Sequence, residues 1–220
     1  TTLFRSVSSA GLTKSILQEA KTSFCIGMSV STTFVREKVI YERFMNNSEA
    51  WDEIRYTTPV LASKMAKDFG VNGVVSVIST ACASGTNSIG RAFDLIRSGR
   101  ADYVICGGID LVSELAFNGF NSLLALSRGR CKPFGIERDG MSLGDGCAMF
   151  VLESYESAKQ RGATVYAEVK GYHILNETYH PTSPHPDGIY ALSCMKSALE
   201  KAHLNIEDVD YINAHGTGTK

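Results

Sequence analysis

Two short segments of this chain bring together residue types that can form and break acyl bonds. The first is Ser79-Thr80-Ala81-Cys82-Ala83-Ser84-Gly85, where small residues flank a single thiol. The β-branched run Val71–Ser79 before it reads as a strand. Ile89, Ala92, Phe93 and Ile96 after it recur at helical spacing. A strand that turns through small residues into a helix leaves space beside the sulfur, as in a nucleophile elbow. A cysteine at a helix N-terminus also faces free backbone N–H groups and the positive end of the dipole, and both favour the nucleophilic thiolate. The same residues are also compatible with a small side chain packed at a helix start.

The second segment is Asn213-Ala214-His215-Gly216-Thr217-Gly218-Thr219. Val209–Asn213 reads as a strand, which would set His215 at the strand's C-terminal end, where open α/β sheets bind ligands. The glycines would let a ligand approach the backbone, and the threonine hydroxyls can donate and accept. Alone, such a histidine is as readily a satisfied structural one. Together, a thiol and an imidazole at strand C-termini are the pair that nucleophilic acyl transfer uses.

The elements that must position this pair alternate between strand and helix. Strands are expected at Cys25–Val30, at Tyr103–Cys106 (stopped by Gly107-Gly108), at Cys147–Leu152 and at Val165–Leu175. Helices are expected at Pro59–Phe69, closed by Gly70, at Glu156–Arg161, ended by Gly162, and at Ile189–Ala202. This alternation predicts an α/β fold with buried strands. Ser127–Asp145, rich in glycine and charge, reads as an ordered functional loop. The chain changes character near Ser154–Ala163, which suggests one domain over 1–153 and the start of another over 154–220.

Bulk properties exclude several classes. The 220 residues are 44% hydrophobic and 20% charged, and the net charge is −1 from 22 basic and 23 acidic residues. That balance leaves no electrostatic footprint for nucleic acid or an anionic membrane. No apolar run approaches the ~20 residues that span a bilayer. The opening Thr1-Thr2-Leu3-Phe4-Arg5 has neither a secretory pattern nor an initiating Met, so the chain is expected to begin inside a longer protein. Six cysteines (25, 82, 106, 131, 147 and 194) never form C-x-x-C, which points to a reduced, cytoplasmic chain. Cys25, Cys106 and Cys147 sit in strand-like runs and are expected to be buried.

Further segments extend the pattern: Cys106-Gly107-Gly108-Ile109-Asp110, Pro133-Phe134 with Glu137-Arg138-Asp139-Gly140, Leu143-Gly144-Asp145-Gly146, and Tyr179-His180-Pro181-Thr182-Ser183-Pro184. With the cysteine and histidine segments in this order and spacing, residues 23–220 resemble the elongating β-ketoacyl synthases of the Cys-His-His class. The resemblance implies a thiolase-like fold, layered α/β/α/β/α from two βαβαβαββ halves, here incomplete at both ends. It implies that Cys82 carries the growing acyl chain and that His215 stabilises the enolate of a decarboxylating malonyl thioester. Thr217 and Thr219 match positions that bond a phosphopantetheine arm, Thr182 and Ser183 lie on a loop near the same tunnel, and Phe120 aligns with an acyl-pocket aromatic.

The implied partners are an acyl carrier protein and a second subunit, identical or related. No cofactor or metal is implied, because phosphopantetheine arrives on the carrier. The family's catalytic Lys, second His and glycine-rich oxyanion loop would fall beyond Lys220, so the chain is expected to be acylated at Cys82 without condensing acyl units. Lys132, Gly135 and Met141-Ser142 depart from the family pattern, which leaves loop detail and chain-length preference open. The competing readings are a non-catalytic partner subunit, a degradative thiolase-fold enzyme and a Cys-His hydrolase.

Overall fold

The structure, a computed structural model, describes residues 2–30, 32–46, 57–180 and 183–220. Helices α1 (Thr2–Ser9) and α2 (Lys14–Glu19) lead into strand β1 (Thr22–Gly27). Helices α3 (Thr33–Asn46) and α4 (Thr58–Phe69) then carry the chain to β2 (Val75–Ile78). Helix α5 (Ser84–Arg97) crosses to β3 (Tyr103–Asp110). Helix α6 (Glu114–Ser122) and a long loop precede β4 (Gly146–Glu153) and α7 (Tyr155–Gln160).

These strands form one sheet in the order β2-β1-β3-β4. The first three run parallel, and β4 pairs antiparallel with β3, Asp110 opposite Gly146. Alternation along β1 divides the core. Phe24 and Ile26 face a cluster with Leu17, Ala62, Ala66, Phe69, Ile105 and Met149, while Cys25 joins Cys106, Val104, Ala92 and Leu95 on the other face. Helices thus cover both faces of the parallel strands, the arrangement parallel sheets require.

Local chemistry sets the boundaries. Pro59 in the first turn starts α4, and Gly70 closes it in a left-handed conformation at φ 76°. Ser113 caps α6 by accepting from Ala116 N–H, and the Glu37 carboxylate from α3 accepts from Glu114 and Leu115 N–H. Arg161 pairs with Glu153 and donates to the Ala10 carbonyl, tying the α1–α2 turn to the end of β4.

Contacts divide the chain into a unit of residues 1–164 with 215–220 and a smaller unit of 165–214. In the smaller unit, α8 (Ile189–Ala202) matches the predicted helix, and a 3₁₀ turn over Ile206–Asp208 is closed by reciprocal bonds between Asn205 and Asp208. Gly171 packs against Ala198 and Ala202 of α8, and Cys194 Sγ donates to the His173 carbonyl.

Five expectations need correction. Val165–Leu175 and Val209–Asn213 are not strands. Their β-branched pattern is present, but a ladder requires a registered neighbour, and the 171–173 stretch lies on α8 instead. The strand expected over Val71–Ser79 is confined to Val75–Ile78, because Asn72 and Gly73 are spent tying the chain to the start of β1. Tyr103–Cys106 does not stop at Gly107-Gly108; β3 continues to Asp110. Gly107 is needed there because Ala148 of β4 lies so close that a side chain would collide with its backbone. Cys147 is exposed on the outer strand β4, whereas Cys25 and Cys106 are buried.

Candidate functional site

Cys82 lies on the turn between β2 and α5. Ala81 takes the left-handed conformation, φ 49°, an uncommon choice for a residue with a side chain, and this lets the chain reverse in so few residues. Two buried side chains hold the turn from below. Ser84 Oγ accepts from Thr80 N–H at 2.8 Å and donates to the Ala81 carbonyl at 2.6 Å. Asn87 Nδ2 donates to Thr80 Oγ1 at 2.8 Å. A side chain on Gly27 would collide with the Ser84 backbone, so β1 must end in glycine for α5 to begin directly above it. Deeper in α5, the fully buried Ser88 hydroxyl accepts from Gly107 N–H at 3.1 Å.

The turn leaves Cys82 exposed. Two other thiols on this sheet, Cys25 and Cys106, are buried. Burial pushes Cys25 up to about 11, despite the opposing Ser76 hydrogen bond and the Arg91 charge. Burial raises Cys106 further, with the neighbouring Cys25 adding to the effect. Desolvation also raises Cys147.

Residues 215–220 dock on the loop between α6 and β4. That loop folds back on itself: Ser127 N–H donates to the Met141 carbonyl and Met141 N–H to the Ala125 carbonyl. Asp139 accepts from Ser127 Oγ at 2.6 Å and from Arg128 N–H, which holds its carboxyl below the usual value. The tail is then held by its carbonyls. Cys131 Sγ donates to Thr217 O at 3.2 Å, Gly140 N–H to Gly218 O at 3.0 Å and Arg138 Nε to Thr219 O at 2.9 Å. Gly218 has φ 74°, and a Cβ there would lie 2.9 Å from both Cys131 Sγ and Gly140 O. The Thr217 and Thr219 hydroxyls are 2.8 Å apart and border an open cavity of about 440 Å³ with Phe134, Arg138, Gly216 and Gly218.

Topology puts the thiol and the tail at one end of the sheet. Cys82 follows the C-terminal end of β2. The loop that carries the tail enters β4 opposite the C-terminal end of β3, where Asp145 accepts from Val112 N–H at 2.6 Å. His215 is exposed, and among the described residues no hydrogen bond joins it to Cys82. Phe120 is half-buried on α6. Ser183 is exposed in the smaller unit, its N–H donating to His180 Nδ1, and Thr182 lies outside the described residues. Sequence reasoning did not single out Ser84, Asn87, Cys131 or Arg138 for a part in the site. Arg138 was within reach, standing in the quoted Glu137-Arg138-Asp139-Gly140 segment. No group of three or more His, Cys, Asp or Glu suited to a metal occurs among the described residues, and none of their helices is long and apolar enough to cross a membrane.

Comparison with known proteins covers most of the chain. The family model "Beta-ketoacyl synthase, N-terminal domain" matches residues 1–158, and its C-terminal counterpart matches 166–220. The chain is 41% identical over 175 residues to 3-oxoacyl-[acyl-carrier-protein] synthase 2 of Staphylococcus aureus, covering 74% of this chain and 43% of that protein. It is 39% identical over 174 residues to Nodulation protein E of Rhizobium meliloti, covering 79% and 43%. Among solved structures, the ishigamide ketosynthase/chain length factor superposes with a TM-score of 0.91 at 36% identity, covering 97% of this chain and 54% of the other. A type II polyketide ketosynthase, solved with its acyl-carrier protein and bound to the hexaketide, superposes at 0.90 and 32% identity, covering 97% and 56%. The chain therefore spans about half the length of the proteins it matches.

Proposed function

Because this chain belongs to the β-ketoacyl synthase family and has its thiolase-like α/β fold, we propose that it carries the acyl-accepting half of a decarboxylative condensation, with Cys82 as nucleophile. The Cys82 sulfur attacks the carbonyl carbon of a carrier-bound acyl thioester. The bond to the carrier sulfur breaks, the carrier leaves as a free thiol, and the acyl chain stays on Cys82. The Cys82 backbone N–H contributes to holding the oxyanion of that step. In the second step of the full condensation, to which this chain contributes His215 without completing it, a malonyl thioester loses CO₂, and His215 stabilises the enolate. The carbanion attacks the acyl-Cys82 carbonyl, a carbon–carbon bond forms, and the thiol is released from a β-ketoacyl thioester two carbons longer.

The observation that carries this reading is the exposed Cys82 thiol on a braced strand-to-helix turn, at the end of the sheet where the His215 tail docks. Thr217 and Thr219 are assigned to the phosphopantetheine arm, which is part of the substrate rather than a resident cofactor. Phe120, Thr182 and Ser183 are assigned to the acyl and arm passages. The partners proposed are an acyl carrier protein and a second synthase subunit, in a cytoplasmic setting, in fatty acid or polyketide synthesis. The domain division proposed is 1–153 and 154–220. Intact-mass measurement after incubation with octanoyl-carrier protein tests the first step. The expected result is one octanoyl adduct, mapped to Cys82 and lost in Cys82→Ala. Release of free octanoate without an adduct would favour a hydrolase, and no reaction would count against the nucleophile.

A further inference from the structure

We infer that Cys131 and Arg138 are positioning residues for the arm-binding hydroxyls, which deepens the reading of Thr217 and Thr219 and rests on it. Three consecutive carbonyls of the tail, those of Thr217, Gly218 and Thr219, are each taken by one donor from a single ten-residue stretch of loop: Cys131 Sγ, Gly140 N–H and Arg138 Nε. With its carbonyls engaged on the loop, the segment cannot rotate about its own axis. Its two hydroxyls stay side by side, 2.8 Å apart, bordering the cavity. Gly218 completes the fit, since a Cβ would press on the sulfur that holds Thr217.

The two side-chain donors have different tolerances. The Cys131 bond is a thiol donating to a carbonyl, which serine can reproduce and alanine cannot. Arg138 uses Nε for Thr219 and Nη1 for the Gly135 carbonyl at 3.3 Å. Its geometry is a fork, which lysine replaces only in part. Arg138 also borders the cavity itself, so its loss removes both an anchor and part of the wall.

The experiment is a titration of the 220-residue chain with 4′-phosphopantetheine, followed by NMR, on wild type, Cys131→Ala, Cys131→Ser, Arg138→Ala, Arg138→Lys and the double variant Thr217→Val/Thr219→Val. Loss of one net hydrogen bond predicts that Cys131→Ala and Arg138→Ala each weaken binding roughly 5- to 10-fold. Cys131→Ser should restore wild-type affinity and Arg138→Lys should restore it in part, with thermal midpoints within a few degrees throughout. Iodoacetamide labelling of Cys82 should be unchanged in all of them. If the threonine double variant loses binding while both alanine variants bind as wild type, the positioning roles are wrong and the arm reading stands. If the double variant binds as wild type, or the wild-type chain does not bind, the arm reading falls and takes this inference with it.

Discussion

A thiol is as useful as its exposure allows, and the elbow leaves that of Cys82 exposed. Cys25 and Cys106 are packed between the sheet and α5, where burial holds them protonated well above neutral pH. Limited alkylation at pH 7.5 followed by peptide mapping should therefore label Cys82 first. Labelling of Cys25 or Cys194 ahead of it would contradict the nucleophile assignment. The turn beneath Cys82 depends on Ser84, whose hydroxyl satisfies the Thr80 N–H and the Ala81 carbonyl together. Ser84→Ala leaves the Thr80 N–H unmatched under the helix, while the Ala81 carbonyl keeps the Ser84 backbone N–H, a loss of about 1–3 kcal/mol. Denaturant melts should show that decrease together with slower acylation of Cys82, and an unchanged midpoint would mean that water replaces the hydroxyl. The elbow was legible in the sequence because it is local: strand, small residues, thiol and helix follow one another without interruption from Val75 to Arg97. The donors that hold Thr217 and Thr219 were not legible, because Cys131 lies 86 residues from Thr217 and Arg138 lies 81 from Thr219. No periodicity records a side chain bonded to a distant carbonyl.

Elements were readable in the sequence where local signals set their ends, and misread where a neighbour decides. Pro59 and Gly70 bracket α4 as expected, and α8 has its predicted bounds. The segments 165–175 and 209–213 have the composition of strands but no registered partner, so propensity alone misplaced them. Strand β2 is an edge of the sheet with no proline or charge among Val75–Ile78, and Val75 is exposed. Such an edge offers unpaired backbone groups to another strand. It is expected to pair across a two-fold axis with its copy in a second subunit. Sedimentation should show a dimer at micromolar concentration that Val77→Lys weakens, and a monodisperse monomer would refute the pairing. The α6–β4 loop has its own dependence on pH. Asp139 titrates below its ordinary value of 3.8 because the Ser127 hydroxyl and the Arg128 N–H bond to its charged form. A depressed carboxylate contributes stability above the unfolded value and loses it as pH falls through the folded one. Amide protection at Arg128, relative to its intrinsic exchange rate, should therefore be high at pH 6 and fall below pH 4, and Asp139→Asn should remove that step.

At the scale of the whole molecule, the chain leaves the larger unit after Thr164 and returns to it at His215, so the 50 residues between are a detour whose far end is fastened without a covalent bond. While the detour is intact, the tail meets the loop at the high effective concentration of a tethered group. Cutting the detour would turn the same contact into a bimolecular one. Three net hydrogen bonds are worth roughly 2–4 kcal/mol, and a dissociation constant of 1 mM already requires about 4 kcal/mol. The severed tail should therefore not stay bound at micromolar concentration. A protease site introduced at the exposed turn around His203 gives the test. After cleavage, gel filtration with mass spectrometry should find the C-terminal peptide free. The remaining body should still be labelled at Cys82 but no longer bind phosphopantetheine. Continuity of the chain through the smaller unit would then be what holds the imidazole and the hydroxyl pair in place, much as a linker sets the avidity of a two-headed ligand.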